Sequence, residues 1–164
     1  MGWLVAEAER AALAREVIEE CLRRENVEED QLALQADRGS SMKSKPVAHL
    51  LSKPGVTKSH SRPYVSNDNP FSDSAFKTLK YRPDFPERFG SLQDARGFCQ
   101  DFFRWYNWEH HHSGIAMLTP ADLHHRRGQS VITARHEVML RAFEANPHRF
   151  NGRIPKIGEL PTEM

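Results

Sequence analysis

Cysteine is nearly absent: Cys21 and Cys99 are all that 164 residues contain, too few and too far apart for a disulfide framework or a metal knuckle. Each reads instead as a small hydrophobe buried on a helix, which suits a reducing cytoplasm. Long apolar runs are also missing, and the mean hydropathy is −0.68, so no membrane-spanning helix is expected. The opening MGWLVAEAER has no basic stretch ahead of its few apolar residues and no small-residue cleavage site, unlike a secretory signal. No internal repeat is evident. What remains is a length suited to one ordinary domain, able to bury roughly 70% of its unfolded surface.

The net charge of +1 is small, but it conceals an asymmetry. Residues 1–30 hold nine acids against four Lys/Arg, whereas in residues 37–62 six basic side chains oppose Asp37 alone. Local charge decides which surface meets an anionic polymer, so the second stretch is the candidate nucleic-acid side.

Leu13, Val17, Ile18, Cys21 and Leu22 fall on one stripe of an amphipathic helix over residues 5–25. After a turn at Val27–Asp30, alternating Leu32, Leu34 and Ala36 predict a short strand over Gln31–Asp37, with Asp37 at its end. Ser44-Lys45-Pro46 reads as an N-cap and first-turn proline for a short helix carrying Val47, Leu50 and Leu51, stopped by Pro54-Gly55. Val56–His60 reads as a second short strand. A turn-rich stretch, Ser61–Asn69, leads to a helix over Pro70–Lys80, which sets Asp73, Lys77 and Lys80 on one face and Phe76 and Leu79 on another. Ser91 and Asp94 suggest a capping box for a helix with the stripe Leu92, Ala95, Phe98/Cys99, Phe102 and Tyr106. Thr119-Pro120-Ala121-Asp122 caps a helical turn. Ser130–Asn146 supports a last helix burying Val131, Val138, Met139, Ala142 and Phe143, before an irregular tail from Pro147.

Two carboxylates stand out, Asp37 at a strand end and Asp73 on a helix. Spacing alone makes each a cap or a solvated side chain. Their surroundings add more. The blocks Leu34-Gln35-Ala36-Asp37-Arg38-Gly39-Ser40, Gly55-Val56-Thr57-Lys58-Ser59-His60-Ser61-Arg62-Pro63, Ser66-Asn67-Asp68-Asn69-Pro70 and Phe76-Lys77-Thr78-Leu79-Lys80 occur in order. Trp105-Tyr106-Asn107, His112-Ser113-Gly114-Ile115 and Thr119-Pro120 follow. Together they resemble the integrase catalytic core of bacterial insertion-sequence transposases, which is retroviral-integrase-like.

The resemblance implies an α/β, truncated ribonuclease H-like core, predominantly helical with few short strands. It places a partial catalytic core at 1–125 and a C-terminal helix and tail at 126–164. Asp37 matches the family's second carboxylate, and Asp73 stands where the third, a glutamate, is usual; both are implied catalytic and metal-holding residues. Mg²⁺ or Mn²⁺ is the implied cofactor, because two hard cations about 4 Å apart favour oxygen ligands and promote in-line displacement at phosphorus. Arg38, Lys58, Arg62, Lys77 and Lys80 are implied DNA-binding residues, with a solvated Asp73–Lys77 pair as the plainer reading of the last helix. Implied partners are DNA (transposon ends and target), the product of an upstream transposase frame, and further copies of the chain; no membrane is implied.

Two departures from the pattern are expected to matter. The strand bearing the family's first aspartate falls upstream of these residues, and no acid before Asp30 replaces it, so this strand transferase is expected to be inactive alone and its Gln31–Asp37 strand to lack sheet partners. Asp73 is one methylene shorter than Glu. The alternative function is a non-catalytic DNA-binding or assembly module; a generic helical interaction protein would leave the ordered blocks as coincidence. Consecutive His110, His111 and His112 suggest zinc, but three successive residues at a helix end point different ways, which favours His112 fixing the Ser113-Gly114 turn. Tyr106 is expected in the core. Trp108 is open between packing and base stacking.

Overall fold

A computed structural model describes residues 2–28, 32–36, 39–52, 56–60 and 70–160. It divides into two units, 1–97 and 98–164, the division falling within one helix.

In the first unit, helix α1 spans Ala11–Arg24. Its Ala14, Ile18 and Leu22 recur at four-residue intervals and pack against a core of Val47, Leu51 and Val56. Basic Arg23 and Arg24 fill its last turn, where the helix dipole favours them. Exposed pairs such as Arg15–Glu19, at 3.4 Å, add little. The helix begins later than residue 5 because residues 2–6 have a different task. Gly2 lies against Val17 and Cys21, so close that a Cβ there would collide with the Cys21 sulfur. The Val5 carbonyl accepts from Arg96 Nε at 3.3 Å. The Val17–Cys21 stripe is thus covered by the N-terminal segment, while the adjoining stripe meets the core. Cys21 and Cys99 are half-buried thiols, not fully buried ones.

Strand β1 is Ala33–Ala36 and strand β2 is Thr57–His60, joined through a crossover containing α2, Lys45–Ser52. The strands are parallel, with Ala33 opposite Thr57, Leu34 opposite Lys58, Gln35 opposite Ser59 and Ala36 opposite His60. The Thr57 N–H extends the ladder by donating to the Leu32 carbonyl at 3.1 Å. This corrects the expectation of an unpaired first strand: a partner arrives from beyond the crossover, as parallel pairing requires. Alternation turns Leu34 and Ala36 inward and leaves Ala33 and Gln35 exposed. From α2, Val47 and Leu51 are buried in the core against which Leu34 packs. The expected Ser44 side-chain cap is not formed: its carbonyl accepts from the Ala48 N–H at 3.0 Å, while its hydroxyl is buried without a partner among the described residues.

Helix α3 is Pro70–Lys80, and α4 is Leu92–Trp108. The Ser91 hydroxyl accepts from the Asp94 N–H at 3.1 Å, one half of the expected capping box.

In the second unit, Phe102 and Tyr106 of α4 are buried with Leu118 and Ala121. The chain then reverses. His112 forms an antiparallel bridge with Leu118, and its carbonyl accepts from the N–H groups of Ile115 and Met117 at 3.2 and 2.8 Å. The reversal passes through two successive left-handed residues, Ala116 (φ 56°) and Met117 (φ 57°), a conformation that costs roughly 1–2 kcal/mol for each side-chain-bearing residue. Thr119 and Asp122 form a complete capping box for α5, Pro120–His124. Helix α6, Gly128–Ala145, starts at a buried glycine where a Cβ would lie 2.9 Å from Leu160 and 3.1 Å from Leu118 and Leu123. Val138 was expected inside but is 55% exposed.

From α6, Arg135 holds the left-handed turn. Its guanidinium donates to the carbonyls of Ala116 at 2.9 Å and Met117 at 2.7 Å. Charged hydrogen bonds of this kind contribute about 1.5–3 kcal/mol, comparable to the turn's strain. Arg135→Ala should therefore lower stability by about 1–3 kcal/mol in urea melts, and adding Ala116→Gly should recover part of it. A null effect of Arg135→Ala would show that the turn stands without the clamp.

Candidate metal and nucleic-acid site

Proline at the first position presets φ for α3 and surrenders no helical hydrogen bond. Asp73 then occupies the first turn and Lys77 and Lys80 the last, each charge at the end of the dipole that favours it. The Thr78 hydroxyl is tied back to the Ser74 carbonyl at 2.8 Å. Asp73, Lys77 and Lys80 are all exposed. The Asp73–Lys77 pair allowed by their spacing is not formed, and none of the three has an ion-pair partner among the described residues. Phe76, expected on an apolar face, is 60% exposed.

Lys58 sits on β2 opposite Leu34. Asp37 follows β1 directly in sequence, but Asp37, Arg38 and Arg62 lie outside the described residues, as do Asn67 and Asn69. The structure therefore gathers Asp73, Lys77 and Lys80 on one helix. Among the described residues, no three His, Cys, Asp or Glu side chains converge into a metal-sized group. Asp73 nevertheless suits a hard divalent cation, since it is a solvent-facing carboxylate with no described partner competing for its oxygens.

A second polar cluster was not legible in the sequence. His110 and His112, expected to diverge, converge on Tyr106 because the chain leaves the helix at Glu109, where the Glu109 and His110 N–H groups both donate to the Trp105 carbonyl. The His110 and His112 rings are 4.4 Å apart, and Tyr106 lies 5.6 Å from the first and 4.6 Å from the second. His111 turns away, its Nδ1 2.8 Å from the Glu109 carbonyl oxygen. The Nε2 of His112 is buried without a hydrogen-bond partner among the described residues. The expectation that His112 fixes the turn holds through its backbone bonds. Tyr106 is buried, as expected.

Burial first, and then repulsion from neighbouring histidines, lowers the pKa of both His110 and His112 below the usual 6.5. A histidine with a lowered folded-state pKa leaves the unfolded chain holding more protons between the two values, so stability is lost as pH falls through about 6.5. Urea midpoints should decline from pH 7.5 to 5.5, and a His110→Gln/His112→Gln protein should be flatter across that interval. Parallel profiles would remove the pair as the cause.

This α/β fold, predominantly helical with few short strands, is the fold of an integrase catalytic core. It is similar to the crystal structure of the BIV integrase catalytic core domain, with a TM-score of 0.55 and 19% identity over 77% of this chain and 78% of that one. It also resembles a chain of the simian T-cell lymphotropic virus intasome in complex with PP2A regulatory subunit B56 gamma, with a TM-score of 0.52 and 14% identity. That match takes in 96% of this chain but 46% of the other. More particularly, residues 54–120, which include Lys58, Asp73, Lys77 and Lys80, match the Integrase core domain family. No curated protein matches the chain. No helix among the described residues is long and apolar enough to cross a membrane.

Proposed function

We propose that the chain is part of a bacterial insertion-sequence transposase of the integrase type, acting on transposon ends and target DNA in the cytoplasm. The observation that carries this reading is the match of residues 54–120 to the integrase core, with an exposed carboxylate and two exposed lysines on the same helix inside it. The proposed core extends over 1–125, and 126–164 follows as a C-terminal helix and tail.

In this reading Asp37 and Asp73 hold Mg²⁺ or Mn²⁺, which when bound supplies charge neutralisation and Lewis acidity at the phosphate being attacked. The chain's own contribution is positioning. Lys77 and Lys80, one and two turns beyond Asp73, offer exposed positive charge to a backbone phosphate, and Arg38, Lys58 and Arg62 add to the same electrostatic term. Phosphate contacts of this type fix the strand without reading its sequence. Strand cleavage and transfer by this polypeptide alone is expected to be absent or close to it, and one reason is that Asp73 falls short of the reach a glutamate would have. Further copies of the chain, or the product of an upstream frame, are the proposed protein partners.

The test is divalent-dependent nicking of plasmid DNA by the purified chain, beside DNA binding measured at several salt concentrations. Binding that weakens with salt and with Lys77→Ala/Lys80→Ala, together with any nicking that disappears in Asp37→Ala, is expected. Salt-insensitive binding, or none, would overturn the assignment.

A further inference from the structure

Trp108 closes α4 with 54% of its surface exposed, an unusual position for a side chain whose burial is so favourable. Its neighbours are cationic or ionisable. The His125 ring lies 5.4 Å away, tilted by 32°, and the Arg127 guanidinium sits over the indole at 5.7 Å from the ring centre. His124 in turn meets His125 edge-on at 5.0 Å.

The backbone explains how four such residues come to the surface together. Helix α5 ends at His124, and the chain turns through Arg126 in the left-handed region (φ 56°). The N–H groups of Arg126 and Arg127 satisfy the carbonyls of Leu123 and Asp122 at 2.9 and 2.7 Å. All four side chains from His124 to Arg127 are exposed. Arg127 is anchored by Asp122 at 3.4 Å. Burial tends to raise the pKa of Asp122, but hydrogen bonds from Thr119 and the charge of Arg127 hold it below its ordinary value, so the anchor is ionised. Arg126 has no ion-pair partner among the described residues. Cations after a helix C-terminus satisfy its dipole, but that leaves the half-exposed indole unexplained.

We propose that Trp108, with Arg126 and Arg127, forms a stacking and phosphate-binding surface for single-stranded DNA. An indole can stack only on a base whose face is open, which a duplex does not offer, and the flanking guanidiniums fit the phosphates on either side. An acidic peptide would use the arginines and leave the indole idle. The surface lies apart in sequence from Lys77 and Lys80, and assigning it to DNA rests on the transposase reading above.

The experiment uses the full chain and three labelled probes: an oligothymidylate, a duplex of equal length and polyglutamate. Trp108→Ala should weaken oligothymidylate binding about 5- to 100-fold and the duplex far less. Arg126→Ala/Arg127→Ala should reduce the salt dependence of binding by roughly one unit of log–log slope. Tryptophan emission should be quenched by oligothymidylate in the wild type and much less in Trp108→Phe. Arg126→Ala alone, at an exposed position with no ion pair among the described residues, guards against a misfolded Trp108 variant. Unchanged affinity in Trp108→Ala and Arg126→Ala, equal losses on duplex, or equal binding of polyglutamate would overturn the proposal. If Lys77→Ala/Lys80→Ala then still weakens DNA binding, the transposase reading survives that failure; if no DNA is bound at all, both fall.

Discussion

Truncating Phe102 to alanine should destabilise the protein by about 3–5 kcal/mol, the range for emptying a buried aromatic site. Phe102 is 2% exposed, among the most buried large side chains described. Its ring meets Phe103 at 5.2 Å, Tyr106 at 5.4 Å and Trp105 at 6.0 Å, mostly in edge or tilted geometries that add about 0.5–1.5 kcal/mol per pair beyond area burial. Alanine would remove these contacts and leave a void on the buried stripe of α4. Half-buried Phe103 provides the control: its truncation empties a less enclosed site and should cost much less. Urea midpoints of the two variants measure the difference. Equal losses, or a Phe102→Ala loss below about 1 kcal/mol, would mean that this aromatic cluster does not hold the second unit together.

That cluster was legible in the sequence, and the reason is its locality. Leu92, Ala95, Phe102 and Tyr106 announce a helical stripe by spacing, and Thr119 with Asp122 announces a cap three residues deep; both are set by neighbours along the chain. Helix α3 was bounded equally well, from its proline to Lys80. The misreadings share a different origin. The start of α1 depends on Gly2 meeting Cys21, the partner of β1 arrives from beyond a crossover, and His110 meets His112 because the chain leaves α4 at Glu109 instead of continuing the helix. None of these is written in periodicity. The candidate site divides the same way. Asp73 and its two lysines follow from helical spacing, whereas the pairing of Asp37 with Asp73 is a long-range proposition that the resemblance supplied and residue spacing did not.

Asp73→Glu should raise Mn²⁺-dependent nicking by about a hundredfold if Asp73 occupies the glutamate position of the family's metal site. The added methylene extends the carboxylate by about 1 Å, and a misplacement of that size at a reacting centre costs about two orders of magnitude. Folding should not obscure the result. Position 73 is exposed, lies in the first turn of α3, and tolerates either acid against the helix dipole, so stability should change by no more than about 0.5 kcal/mol. Among the described residues, the substitution breaks no hydrogen bond or ion pair of Asp73. Asp73→Asn keeps the shape, removes the charge, and sets the baseline. Calorimetric titration with Mn²⁺ gives a second reading independent of turnover, in which glutamate should bind more tightly than aspartate and asparagine least. An Asp73→Glu protein that neither nicks faster nor binds Mn²⁺ better than Asp73→Asn would remove this residue from the metal site and leave α3 as a phosphate-binding helix whose acid serves only its own N-terminus.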